Sequence, residues 1–201
     1  MSSPITIYGD SSSGNSLKVK FVCDKLNRPY RWVETSVVKK ETRTPAFLAM
    51  NPVGQVPVIL LADGTPLAQS NAIMLHLAEG SDLVPQDALA RALVMQWLFW
   101  EQYGHEPAIA VLIFHKAHLK KPAHEINPEL LPKSESALNV MEQHLSQRSY
   151  FVADRLTLAD IALVAYTRKA PDAGIDLARW PAVRAWVARI ETDLGLSSYV
   201  A

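Results

Sequence analysis

The chain has 201 residues, 49% of them hydrophobic, which is enough for one large domain or two small ones around a sizeable core. Lysine plus arginine and aspartate plus glutamate stand at 20 each, so the charge balance gives no support for nucleic acid or an anionic membrane as partner. Cys23 is the one cysteine, so there is no internal disulfide framework, and no leader pattern or membrane-spanning apolar run stands out; the expectation is a soluble cytoplasmic protein.

In chain order, "ITIY" (5–8) is a short β-rich run. From Leu17 to Leu26 the pattern turns helical, with Val19, Val22, Cys23 and Leu26 on one face. "YRWVET" (30–35) is strand-like again. Strand, crossover helix and strand make a βαβ unit with parallel strands. "PAFLAMN" (45–51) reads as a short helix opened by proline. "VPVILL" (56–61) and "PLAQ" (66–69) flank Asp63-Gly64, a hairpin-turn signal that makes these two strands antiparallel. Ser70, read as an N-cap, opens the helical stretch that Gly80 closes. Residues 1–80 thus form a mixed domain in the order βαβ-α-ββα, and 81–87 form a linker.

Residues 88–201 read as helix only. A long helical pattern starts near Leu89, with Leu93, Trp97 and Trp100 at three- and four-residue spacing, and Gly104 and Pro107 predict a bend in it. Another helix spans 128–148. The stretch 157–170 reads as the buried helix, with Thr157 and Asp160 as a capping box and Leu156 and Ile161 as a hydrophobic staple. The last helix, 179–194, sets Val183, Trp186, Val187 and Ile190 on one face.

The stretch "YGDSSSGNSLK" (8–18) admits three chemistries. Gly9 and Gly14 have P-loop spacing and Ser16 takes the metal-binding hydroxyl position, but Asn15 stands where a lysine would meet the phosphates. "GDS" after a strand resembles the first block of GDSL or SGNH esterases. Yet none of His76, His105, His115, His118, His124 and His144 has aspartate three residues before it, and a serine without a base is a poor nucleophile. In the third reading, a serine hydroxyl at a helix N-terminus holds an anion carried by a ligand. Elsewhere in the same domain, Val56-Pro57 enters a strand. If that bond is cis, Val56 turns its N–H and C=O outward to pair with a short peptide. Ser70 and the N–H groups beside it could take a carboxylate. The three places suit a small anionic peptide.

"SGNSLK" (13–18), "NPVGQVPV" (51–58), "AQSNAI" (68–73) and "TLADIA" (157–162), in that order, resemble the cytosolic glutathione transferases over nearly the whole chain. "SGN" together with "ETRTPAFLAMNP" (41–52) looks closest to bacterial groups near the Nu and Theta classes. The resemblance implies a thioredoxin-like, glutathione-binding N-terminal domain and an all-helical C-terminal domain forming the electrophile site. It implies a detoxifying glutathione transferase that takes glutathione as co-substrate, needs no metal, and works as a homodimer. A free thiol has a pKa of roughly 8.5, and lowering it by about 2 units requires roughly 3 kcal/mol.

The residue roles follow from the same resemblance. Ser13 is the catalytic hydroxyl that stabilises the thiolate, with Asn15 assisting; Ser11 and Ser12 could also reach the sulfur. Ser70 binds the γ-glutamyl carboxylate. Gln69 touches the same end, where many members carry glutamate. Arg43, in what reads as a mobile loop, and Gln55 reach the glycine carboxylate. Val56, ahead of Pro57, pairs with the cysteinyl unit. Trp100, Tyr103 and His105 are candidates for the electrophile site. A glutathione-dependent disulfide or peroxide reductase, and a binding protein without turnover, are the alternatives. Cys23 reads as core, and His115 with His118 as a solvated helix end rather than a metal pair. Ala153 stands where members of the family commonly carry glycine.

Overall fold

Residues 4–199 are described in the computed structural model, and the chain divides into two units between Glu79 and Gly80. The first unit is built on a four-stranded sheet in the order β2-β1-β3-β4. Strand β1 (Ile5–Gly9) runs parallel to β2 (Tyr30–Glu34), because helix α1 (Gly14–Lys25) carries the chain back between them. Strand β3 (Val58–Leu60) lies antiparallel to β1 and to β4 (Pro66–Ala68). At the β3–β4 turn the Asp63 carboxylate accepts the Thr65 N–H at 2.9 Å, and Gly64 supplies the φ of +83°. Val58 and Ile59, successive on β3, are both fully buried, so both faces of the central sheet are covered. Helix α2 (Pro45–Met50) is capped by Thr44, whose hydroxyl accepts the Phe47 N–H. Helix α3 (Ser70–Ala78) packs against α1.

Two helix starts differ from the sequence pattern. Helix α1 begins at Gly14 with Ser13 as its N-cap, three residues ahead of the helical pattern that starts at Leu17. Its first turns bury Ser16 and Lys18 completely, and those polar side chains hide the turns from a hydrophobic count. Gln69, not Ser70, stands at the N-cap of α3; Ser70 is the first helical residue. Its hydroxyl is turned to Asn15 on α1 instead of closing its own helix.

The second unit comprises α4 (Ala88–Trp100), α5 (Glu106–Ile113), α6 (Leu130–Leu145), α7 (Leu158–Thr167) and α8 (Pro181–Asp193). Every residue of α7 is buried. The capping box closes there: Asp160 accepts the Thr157 N–H at 3.0 Å and its hydroxyl at 3.1 Å. Val183, Trp186, Val187 and Ile190 of α8 are fully buried, on one amphipathic face. The predicted bend at Gly104 and Pro107 takes the form of a π-helical turn, Glu101–His105, between α4 and α5. A second π-helical turn, Phe114–His118, follows α5 and contains His115 and His118. Among the described residues, no group of three or more histidine, cysteine, aspartate or glutamate side chains is placed to hold a metal, and no helix is long and apolar enough to cross a membrane.

Candidate functional site

The serine loop between β1 and α1 is held from its acidic side. Asp10 is buried, and its carboxylate accepts the Ser12 N–H at 2.9 Å, the Ser12 hydroxyl at 2.6 Å and the Val37 N–H at 2.9 Å. Glu34, at the end of β2, accepts the Ser11 N–H at 2.9 Å and the Ser11 hydroxyl at 3.1 Å. Ser13 differs. Its oxygen accepts the Ser16 N–H at a long 3.4 Å, and its hydroxyl proton goes to no acceptor within the described chain. It is half-buried, at the mouth of a twelve-residue helix that has no acidic residue in its own first turn. Gly9, just before the loop, is obligatory on space alone: a Cβ there would come within 2.4 Å of the Trp32 ring.

Asn15 and Ser70 are brought together from two helix N-termini. Asn15 Oδ1 accepts the Ser70 hydroxyl at 3.2 Å and Lys18 Nζ at 2.7 Å. Helix α3 likewise has no acidic residue in its first turn. Gln69 ahead of it has φ +71° and ψ +109°, a conformation that costs a non-glycine residue about 1–3 kcal/mol and is met mostly where a side chain is held for a purpose. Its side chain is exposed.

The remaining first-unit candidates sit on the loop between α2 and β3. The Val56–Pro57 bond is cis. Val56 lies outside the sheet ladder, which begins at Val58. Arg43 sits in a 3₁₀ turn, Glu41–Arg43, rather than a free loop, and donates to the Val53 carbonyl at 3.1 Å. Its guanidinium lies over Gly54, where a Cβ would come within 2.4 Å of Nη1. Gln55 is exposed, and its carbonyl accepts Asn51 Nδ2 at 2.8 Å.

Asn51, Asp10 and Lys18 escaped the reading of the sequence. Asn51 and Asp10 follow an Asx pattern, a carboxamide or carboxylate accepting the N–H two residues on, and that was the available signal. Lys18 carried none.

In the second unit the three electrophile candidates separate. His105 is fully buried and its Nε2 lies 2.8 Å from the Thr167 hydroxyl, so it packs the helical core and offers no surface to a substrate. Trp100 is half-buried and meets Trp97 edge to face at 5.2 Å. Tyr103 is 90% exposed. Cys23 is buried, and burial pushes its thiol up to about 12, which removes it from thiolate chemistry at neutral pH. A cavity of about 390 Å³ lined by Ile5, Leu61, Asp63 and His76 lies at the opening end of β1, away from the serine loop.

Comparison with known proteins gives a consistent pattern. Residues 12–79 match the model for the glutathione S-transferase N-terminal domain, and residues 103–193 the model for its C-terminal domain. Glutathione S-transferase 3 of Zea mays is 31% identical over 197 residues, covering 91% of this chain and 87% of its own. The disulfide-bond oxidoreductase YfcG of Escherichia coli is 28% identical, over 89% of this chain and 86% of its own. A crystal structure of a glutathione S-transferase from Xanthobacter autotrophicus superposes with a TM-score of 0.89 at 46% identity, covering 93% of this chain and 92% of the other.

Proposed function

The chain belongs to the glutathione S-transferase family, and from that membership we propose that Ser13 holds the thiolate of bound glutathione and presents it to an electrophile. The carrying observation is the sorting of three adjacent serines. Glu34 and Asp10 engage the hydroxyls of Ser11 and Ser12, while the Ser13 proton has no acceptor in the described chain. A donor aimed at a sulfur anion at a helix N-terminus favours the charged form and lowers the thiol pKa.

Around that sulfur the ligand lies along the first unit. Ser70 and the N-terminus of α3 take the γ-glutamyl carboxylate, with Gln69 at the same end. Val56, ahead of cis-Pro57, pairs with the cysteinyl backbone. Arg43 and Gln55 reach the glycine carboxylate. Arg43 spends one donor on Val53 and keeps others in its fork. Asn15 assists beside the sulfur. Trp100 and Tyr103 border the electrophile. The thiolate attacks the electrophile, the carbon–sulfur bond forms, and the leaving group departs with its electron pair. The protein is cytoplasmic and works in detoxification as a homodimer.

The test is turnover of wild type and Ser13→Ala against a chlorinated aromatic, a mixed disulfide and a hydroperoxide. Loss of one donor to a developing or held anion costs about 10²–10³ in rate, so kcat falls by that order while KM for glutathione changes less than tenfold. Unchanged kcat in Ser13→Ala would refute the assignment of Ser13, whereas a wild type that binds glutathione and turns over none of the three substrates would be a glutathione carrier. The match to the Escherichia coli oxidoreductase favours a second reading, reduction of disulfides. There the thiolate attacks a disulfide sulfur, the partner thiol leaves, and a second glutathione releases it as glutathione disulfide. The disulfide arm of the assay tells the two apart.

A further inference from the structure

Lys18 is fully buried on α1. An amine taken out of water is costly unless its donors are used. Lys18 Nζ donates to Asn15 Oδ1 at 2.7 Å, one turn back along the helix, and the same oxygen accepts the Ser70 hydroxyl at 3.2 Å. The two contacts constrain Asn15 differently. A hydroxyl both donates and accepts, so Ser70 would bond either end of an asparagine amide. A lysine amine only donates, so Lys18 can bond the carbonyl end alone. Of the two, Lys18 therefore decides which way the amide is turned.

We propose that Lys18 is a positioning residue: it locks the Asn15 amide with its carbonyl toward Ser70 and its NH₂ end turned away, so that an anion held at Ser13 meets a donor rather than a carbonyl oxygen. The inference rests on the reading of Ser13 as the thiolate anchor. Asn15, held by Lys18, ties the first turn of α1 to the first turn of α3 through the Ser70 hydroxyl, and so couples the sulfur end of the ligand to its γ-glutamyl end. The other charged groups near the serine loop are already engaged. Asp10 accepts from Ser12 and Val37, and Glu34 from Ser11 and Trp32. Lys20 and Tyr30 both bond Asp24 further along α1.

The experiment is titration of the thiol of bound glutathione, followed by thiolate ultraviolet absorbance, in wild type, Lys18→Met, Asn15→Ala and the double variant. Each single change is expected to raise the thiol pKa by about one unit and to lower kcat/KM roughly tenfold below that pKa, with recovery at high pH. The double variant should move no further than Asn15→Ala, because Lys18 acts through Asn15. A folded Lys18→Met with the wild-type titration overturns the inference, and so does an additive double variant. Should Lys18→Met fail to fold, Asn15→Asp keeps an acceptor for Lys18 and Ser70 but has no N–H. Its bound thiol should titrate at least as high as in Asn15→Ala, and a wild-type titration there also overturns the inference. Ser13→Ala separates the two levels. If it titrates like wild type, the thiolate reading itself fails and takes the inference with it. If it is raised while Lys18→Met and Asn15→Asp are not, only the role of Lys18 fails.

Discussion

Ser11, Ser12 and Ser13 carry the same hydroxyl on three consecutive residues, and only their neighbours distinguish them. Asp10 and Glu34 claim two of the three, through contacts that join a loop to its own start and to the neighbouring strand. Asp160 presents the opposite case, one carboxylate shared by several donors. It accepts from the N–H groups of Phe151 and Thr157, the Thr157 hydroxyl and the Trp186 indole. Burial outweighs those donors and pushes its carboxyl up to about 6. A group whose pKa is raised on folding lends stability below its unfolded value and loses it as pH rises through the folded one. Between about pH 4 and pH 6 this residue therefore withdraws up to roughly 3 kcal/mol from the folded state. Chemical denaturation of wild type and Asp160→Asn should show the wild-type advantage shrinking from acid to neutral pH. An advantage that grows with pH would mean that the four donors hold the pKa below its ordinary value. At this scale the sequence pointed to Ser13, Asn15 and Ser70 through a family resemblance. It could not point to Lys18, since the bond that gives a lysine its meaning joins residues whose orientation no spacing rule records.

Elements were legible where one periodicity dominated. Helices α7 and α8 bury continuous apolar faces; α7 opens on a capping box and α8 on Pro181. Helix α1 starts earlier than its apolar residues because its first turns bury serine and lysine. The break at Gly104 and Pro107 was visible as composition, but its form, a π-helical turn, depends on the packing of Glu101 and His105, both fully buried. Ahead of α7, Ala153 has φ +59° and Asp154 φ +48°. The left-handed region costs an alanine about 1 kcal/mol relative to glycine, so the backbone at this place favours glycine. Ala153→Gly should raise stability by about 0.5–1 kcal/mol and the melting temperature by a few degrees, read by calorimetry. A lower melting temperature would show that the alanine methyl contributes more than its backbone costs.

For the whole molecule, the order βαβ-α-ββα followed by helices alone was enough to read the fold, because short connections and the right-handed crossover leave few topologies open. Assembly is a matter of surface. Leu89 at 69%, Leu93 at 38% and Phe99 at 68% exposure line one side of α4. Exposed apolar side chains in such a row favour burial against a second surface, and a second copy of the chain supplies one in the proposed homodimer. Sedimentation should show a dimer for wild type and a shift to monomer for Phe99→Glu combined with Leu89→Glu. A wild type that sediments as an active monomer would contradict the assembly. The function itself turns on a single proton. Ultraviolet titration of glutathione bound to wild type should give a thiol pKa about 2 units below the free value of roughly 8.5, and in Ser13→Ala that value should return most of the way to the free one. A bound thiol that titrates alike in both proteins would contradict the assignment of Ser13 to the sulfur.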